Sequence, residues 1–393
     1  MSRIHTEIST AELERRWALA RKIMQERGVD ALIMQNNNDF LGGAVKWFTD
    51  LPAVHGYPRA VVFYRDDLTT VVEQGSFGGR RTLKGDDEVH RGVGLVLSTS
   101  PFVSIAYTAH YDADLVADDV LAKKCSKVAF VSPTAMYHGF ATRVRERLKG
   151  IEIGDLTDPI DYAKAIKSAE ERELMRACAD MQDKVFDKVL AAIKPGMRDV
   201  ELTALAEQQG QLLGSEQGIF LGSSAPLGQS ARFVHRHFQN RTIGKGDHIT
   251  ILIENNGPGG FYTEIARTIV LGKASNHLID AFEAMKEAQT HTLSKIRPGA
   301  SSREIFAEHN KFMQARGLPQ ESRLYAHGQG YDLVERPLVR HDETMNIEAD
   351  MCLAVHPGYD DGQCWMTICD NYIVHADKPL ELIHNTPKKI FEI

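Results

Sequence analysis

The stretch ITILIENNGPGGFYTEIARTIVLG, residues 249–272, decides how the chain is to be understood. Two apolar runs flank a turn rich in Gly, Pro and Asn, which is the pattern of a β-hairpin. Each run carries one Glu where an apolar residue would otherwise stand, Glu254 before the turn and Glu264 after it. With the turn centred near Gly259 the two face each other across the strands, their Cβ atoms roughly 5 Å apart. Carboxylates that close repel, so one keeps its proton unless a cation sits between them. The alternative is structural: one Glu points to solvent or pairs with Arg267.

Around this hairpin lies a chain of 393 residues, long enough for two or three domains and a large core. Apolar residues make up 43% and charged residues 25%, an ordinary globular balance. A net charge of −7 offers no basic footprint for nucleic acid. No apolar run is long enough to span a membrane. The opening MSRIHTEISTAELERR has neither a secretory nor a lipidation pattern, so a cytoplasmic location is expected. Five cysteines (Cys125, Cys178, Cys352, Cys364, Cys369) lack CxxC spacing, which argues against a disulfide framework or zinc ribbon.

Ser9 and Glu12 form a helix-opening capping pair, and Leu13, Trp17, Leu19, Ala20 and Met24 recur at helical spacing after it. Strands are expected at 31–35, 60–64, 68–72 and 127–131, with a helix over 112–124. Strands alternating with helices make residues 1–157 an α/β domain of their own. It has no Gly-rich phosphate loop, since Phe77-Gly78-Gly79-Arg80-Arg81 has the wrong spacing. Asp158-Pro159 marks the boundary, and a long helix is expected from about 160 to 193.

Residues 158–393 then contain an internal echo. VLAAIKPGMRDVELTALAEQQGQLLG (189–214) is matched by TLSKIRPGASSREIFAEHNKFMQARG (292–317), each a helix, a basic-Pro-Gly turn and a second amphipathic helix. Pro195 and Pro298 are 103 residues apart, too far for a solenoid repeat. Two helix pairs, each followed by hairpins, imply a duplicated half-domain with a site at the pseudo-symmetric interface. The second half supplies His327 in HGQG and a further hairpin, 351–357 against 364–374, across which His356 and Cys369 become neighbours.

Glu254, Glu264, His327 and His356, with Cys369 as a further donor, form a candidate site for one divalent ion. Mixed N and O donors suit Zn, Fe or Mn rather than Mg or Ca. The same groups could act without metal, a protonated Glu giving a proton while His235 or His327 shuttles one to or from water. Spacing leaves both open. Tyr262, Arg336 and Arg340 are candidates for substrate binding. No GxSxG or papain-like Cys context is present, which disfavours acyl-enzyme chemistry.

With these residues in place, the chain resembles the creatinase/aminopeptidase P family with the pita-bread fold over nearly its whole length. The resemblance is carried by Lys167-Ser168-Ala169-Glu170-Glu171, both Pro-Gly turns, Gly246-Asp247, Tyr262-Thr263-Glu264 with Arg267-Thr268, and His327-Gly328-Gln329-Gly330 with Glu335-Arg336-Pro337. It implies an α+β architecture: an N-terminal α/β domain and a C-terminal pita-bread domain with internal pseudo-two-fold duplication. It also implies a homodimer in which the N-terminal domain, through Trp47, Phe48 and Arg59, reaches the partner's pocket.

The family's peptidases hold two metal ions on Asp, Asp, His, Glu and Glu. The matching positions here are Leu252, with Glu254 two residues on, then Glu264, His327, His356 and Cys369. These departures point to a non-peptidase member that binds either no metal or one divalent ion. Creatinases in the family hydrolyse a C–N bond with a His as general base, a place similar to that of His235 in HRHFQNRTIGKGD. They carry Glu at the position of His356 and another near that of Ala266, so creatine itself is not the expected substrate. A lyase branch, acting on dimethylsulfoniopropionate, places an acid two residues past the first ligand position, as Glu254 stands here.

The leading expectation is a hydrolase cleaving an amide or amidine-like C–N bond in a small polar metabolite, with His235 activating water. The alternatives are a single-metal lyase or Xaa-Pro-type metallopeptidase of the same fold, and a catalytically inactive binding protein.

Overall fold

The computed structural model describes residues 6–36, 38, 40–53 and 56–393. Residues 1–5 of the N-terminal stretch, on which the absence of a targeting pattern partly rests, lie outside that set. The chain divides into two compact units, one of Glu7–Lys164 and one built on Ala165–Ile393.

The first unit is a mixed seven-stranded sheet in the order β4-β5-β3-β2-β1-β6-β7. Its strands are β1 (Ala31–Asn36), β2 (Arg59–Tyr64), β3 (Thr69–Gln74), β4 (Gly79–Thr82), β5 (Val93–Thr99), β6 (Lys127–Phe130) and β7 (Glu152–Asp155). Its helices are α1 (Thr10–Arg27), α2 (Gly43–Thr49), α3 (Tyr111–Ala122), α4 (His138–Arg147) and α5 (Thr157–Ala165). Ser9 caps α1 by accepting the Glu12 N–H at 3.1 Å, as the capping pair requires. The hairpin expected over residues 65–67 is the antiparallel β2–β3 pair.

The single helix expected over 160–193 is two. α5 stops at Ala165, and α6 (Ala169–Ala192) starts afresh behind a reciprocal capping box between Ser168 and Glu171. Each capping residue satisfies a backbone N–H that a continuous helix would have bonded internally, so the break costs little. The compact units divide here, after Lys164, rather than after Thr157.

The second unit repeats one design twice. In the first half, α6 and α7 (Asp199–Leu212) cover the sheet β18-β10-β9-β8, with β8 Gly218–Pro226, β9 Asp247–Asn256, β10 Tyr262–Val270 and β18 Phe391–Glu392. In the second half, α8 (Asn276–Leu293) and α9 (Ser302–Ala315) accompany β12-β11-β13-β16-β17. These strands are β11 Ala326–Gly328, β12 Glu335–Val339, β13 Cys352–Val355, β16 Asp370–Ile373 and β17 Glu381–Leu382; β14 (Gly358–Asp360) and β15 (Trp365–Thr367) form a separate ribbon. The echoing Pro-Gly turns are built alike. Gly196 and Gly299 take left-handed φ of 94° and 83°, which a side chain would strain. Gly196 N–H bonds Ile243 O at 2.8 Å and Gly299 N–H bonds Ile347 O at 2.7 Å.

Strand alternation separates core from site. Ile249, Ile251 and Ile253 of β9 pack with Val185, Phe186 and Leu202 beneath α6 and α7. The intervening Leu252 and Glu254 face the other way, into a cavity. The second hairpin is more broken than expected: 351–357 against 364–374 becomes β13–β16 and β14–β15. Both keep one register, Val355 opposite Asp370 and Gly358 opposite Thr367, so His356 and Cys369 oppose at the break. There Cys369 leaves its hairpin and bridges Ala266 of β10, joining the two halves. Among the described residues no helix is long and apolar enough to cross a membrane.

Candidate active site

Glu254 and Glu264 are direct register partners on β9 and β10. Both are buried, at 7% and 4% exposure, in the wall of a cavity of about 780 Å³. The structural alternative for this pair does not hold. Three residues beyond Glu264, Arg267 emerges on the opposite face and bonds Asp370 at 2.6 Å.

The two carboxyls differ in protonation. Burial first, and then the charge of Glu264, push Glu254 well above the carboxylate range, which favours its protonated form. Burial also works against ionisation of Glu264. It is outweighed by the imidazoles of His327 and His356 and by hydrogen bonds from Cys369 and Glu254, so Glu264 stays below its usual range. The Cys369 thiol lies 2.6 Å from Glu264 Oε1. Burial and that carboxylate push the thiol well above its ordinary range, which leaves it a proton donor to Glu264.

Two imidazoles complete the cluster. His327 Nδ1 lies 2.9 Å from Gly328 O, so Nδ1 carries a hydrogen and Nε2 is turned toward the cluster, 3.9 Å from Glu264 Oε1. The His356 ring sits 5.2 Å from that of His327, and burial lowers its pKa to about 4, leaving it neutral. One ligand atom each from Glu264, His327 and His356 fall within 4.8 Å of one another. A carboxylate and two imidazoles match the donor set of a Zn or Fe centre. The residues present therefore fit one divalent ion.

Behind the cluster runs a line of amides. Gln329 Nε2 donates to Glu254 Oε1 at 2.9 Å, Asn371 Nδ2 to Gln329 Oε1 at 2.7 Å, and the Glu264 N–H to Asn371 Oδ1 at 2.7 Å. Gln329 and Asn371 thus fix both acids, one by its side chain and one by its backbone. Gln329 belongs to the HGQG motif, but no pattern around Asn371 marks it.

Chain residues 173–376 match the model of metallopeptidase family M24. The chain belongs to that family. M24 members are hydrolases of C–N bonds, and the fold is the pita-bread fold of aminopeptidase P and prolidase. The chain is 22% identical over 279 residues to the uncharacterized peptidase YqhT of Bacillus subtilis, covering 70% of this chain and 77% of that one. It is 24% identical over 220 residues to the Xaa-Pro dipeptidase of Pyrococcus furiosus, covering 54% of this chain and 61% of the relative. The X-Pro aminopeptidase of Thermotoga maritima superposes with a TM-score of 0.77 at 16% identity, over 96% of this chain and 99% of that one. The Xaa-Pro dipeptidase of Bacillus anthracis gives a TM-score of 0.76 at 19% identity, over 97% and 100%.

Several M24 site residues expected from sequence lie elsewhere. His235 is exposed, stacks on His237 and does not line the cavity, so it is not placed to act as general base. Its neighbours Arg232 and Phe233 do line it. Arg336 bonds Glu343 and Thr344, and Arg340 bonds Asp342 at 2.9 Å; neither lines the cavity. Tyr262 is fully buried at the hairpin end, its N–H on Gly330 O at 2.7 Å. Trp47 and Phe48 belong to the core of the first unit, Phe48 against Phe63 at 4.8 Å and Trp47 under the Arg16 guanidinium, so their rings are not presented to a partner subunit. The cavity instead takes Arg323 from a loop and Trp365 from β15, neither within a readable motif.

Proposed function

We propose that this chain is a single-ion hydrolase that cleaves a C–N bond in a substrate of about dipeptide size. The observation that carries this reading is the convergence of one carboxylate, Glu264, and two imidazoles, His327 and His356, whose ligand atoms lie within 4.8 Å of one another in the cavity wall. Glu264, His327 and His356 would hold the ion. Bound there, a divalent ion supplies Lewis-acid polarisation and an acidified water.

The chain's own groups do the rest. Glu254, whose protonated form is favoured by burial and by the charge of Glu264, stands beside the cluster, where it can deliver a proton to a departing nitrogen. Cys369 holds Glu264 in place through its thiol hydrogen. Arg323 brings a cation to the cavity wall for a substrate carboxylate. Phe233 and Trp365, edge to face at 5.8 Å, give an apolar wall for a side chain. The volume suits a small ligand, and relatives named as Xaa-Pro dipeptidases support a peptide-type bond. A second ion has poor support, because Leu252 and Ala266 pack as apolar neighbours of Cys369 in the same wall.

The test is a panel of Xaa-Pro and other dipeptides, N-acyl amino acids and simple amides. Protein stripped of metal and reconstituted with Zn, Mn or Fe(II) is assayed against it. Hydrolysis lost on chelation, restored by one equivalent of ion and absent in His327→Ala is the expected result. Turnover indifferent to chelator, or none with any reconstituted form, sinks the proposal. The homodimer remains part of this proposal, and sedimentation at micromolar concentration checks it.

A further inference from the structure

The ribbon β14–β15 turns through residues 361–364, and this turn is organised around one carboxylate. Asp361 Oδ1 accepts the N–H groups of Gln363 and Cys364, both at 2.9 Å. Its second oxygen is thereby aimed outward and meets His277 Nε2 of α8 at 2.8 Å. Cys364 Sγ completes a group whose three ligand atoms all lie within 4.8 Å of one another. None of the three residues lines the active-site cavity.

We propose that His277, Asp361 and Cys364 form a second divalent-ion site, of zinc type, that fastens the β14–β15 ribbon to α8. Thiolate, imidazole and carboxylate together are the donors that select zinc among common divalent ions. Zinc bonds of about 2.0–2.3 Å place tetrahedral ligands some 3.3–3.8 Å apart. The three atoms therefore need only small shifts, and the present His277–Asp361 hydrogen bond opens to admit the ion. The surroundings favour a cation. Asp280 lies one turn along α8 from His277, and the nearby Tyr359 hydroxyl is pushed up to about 12 by burial and then by Cys364, Asp361 and Asp280.

On binding, the Cys364 thiol proton is released to solvent and the thiolate forms the Zn–S bond. His277 Nε2, which now bonds the Asp361 carboxylate through its hydrogen, gives that proton up to solvent as the ring takes its Nδ1–H form, so that the Nε2 lone pair meets the ion, and water fills the fourth position. The consequence reaches the cavity through the ribbon. Asp360, next to Asp361, accepts from Ser230 Oγ at 2.9 Å and bonds Arg232, while Trp365, next to Cys364, packs on Phe233. An ion at this site stiffens the wall that carries those contacts.

The experiment titrates metal-free full-length protein with Zn(II) and with Co(II). Wild type is expected to bind one equivalent more than His277→Ala, whose exposed side chain is removed without disturbing the core. Zinc affinity at this site should fall by more than about tenfold in that variant, since loss of an outer partner alone costs that much. The near-ultraviolet thiolate-to-cobalt band should vanish in Cys364→Ser and persist in Cys369→Ser. Equal stoichiometry in wild type and His277→Ala overturns the proposal, as does a band that survives Cys364→Ser. The His277→Ala comparison decides the matter even where Cys364→Ser does not fold.

Discussion

Glu254 and Glu264 face each other in register, and the hydrogen bond between them runs from a protonated acid to an ionised one. This asymmetry is set by their surroundings. Gln329 is the polar group that supports Glu254, whereas Glu264 is surrounded by two imidazoles and a thiol. Replacing each acid by its neutral isostere should therefore give different results.

Glu254→Gln keeps shape and a donor toward Glu264, so stability should change by about 1 kcal/mol or less. Turnover should fall by about 10²–10⁴, the usual worth of a positioned proton donor. Glu264→Gln removes the anion from the ligand set, and metal stoichiometry should drop with activity. Urea denaturation, elemental analysis and kcat on both variants check this. An unchanged kcat in Glu254→Gln removes it from the role of acid.

Cys369→Ser should retain the bond to Glu264, while Cys369→Ala leaves that carboxylate a donor short, at a cost of about 2 kcal/mol. A thiol reagent applied to the native protein gives an independent measure. Cys178 and Cys352 are buried away from the cavity and should react only on unfolding. Cys125 is half-buried with its thiol pushed up to about 11, first by burial, so it should react slowly. Rapid native modification of Cys178 or Cys352 contradicts this packing.

The central hairpin was legible because a period of two, a Gly/Pro turn and two misplaced carboxylates all carry local signals. The duplication was legible for the same reason, since both Pro-Gly turns need the same left-handed glycine. His235 misled because a basic, aromatic cluster reads alike whether it is solvated or enclosed, and only the path of the loop after β8 decides. Asn371 and Arg323 act across long sequence separations. Asn371 meets Glu264 from 107 residues away, a contact no local pattern encodes. Trp47 and Phe48 were assigned outward by the resemblance, yet their apolar bulk is used in the core of their own unit.

Arg267 ties the two halves together. Its guanidinium bonds Asp370 at 2.6 Å and the carbonyls of Cys369 and Thr386, both at 2.9 Å, with no exposed side-chain surface at either charge. Removing Arg267 leaves Asp370 only the longer contact to Lys388, at 3.5 Å, and losing one partner of a buried pair typically costs about 3–5 kcal/mol. Arg267→Ala should lose that much. Arg267→Lys should recover only part, because one ammonium cannot reproduce the fork. The double variant Arg267→Met with Asp370→Asn should be more stable than Arg267→Met alone. A double-mutant cycle in urea measures this, and simple additivity contradicts the pairing.

His309 links acid to loss of stability. It is fully buried against Tyr325, its Nδ1 lies 3.2 Å from Thr292 Oγ1, and burial lowers its pKa from 6.5 to about 4. Below pH 6.5 the unfolded chain takes up a proton at this site that the folded chain refuses until about 4. The unfolded state thus binds more protons in that window, and stability falls as pH falls through it. Above 6.5 the contribution is fully present. At about 1.4 kcal/mol per pKa unit, the loss amounts to ~3 kcal/mol at most. His356, also lowered to about 4, adds in the same direction. His309→Gln should flatten the dependence by up to one proton, measured as the slope of unfolding free energy against pH. A slope identical to wild type would show that His309 already titrates in the folded protein as it does in the unfolded chain.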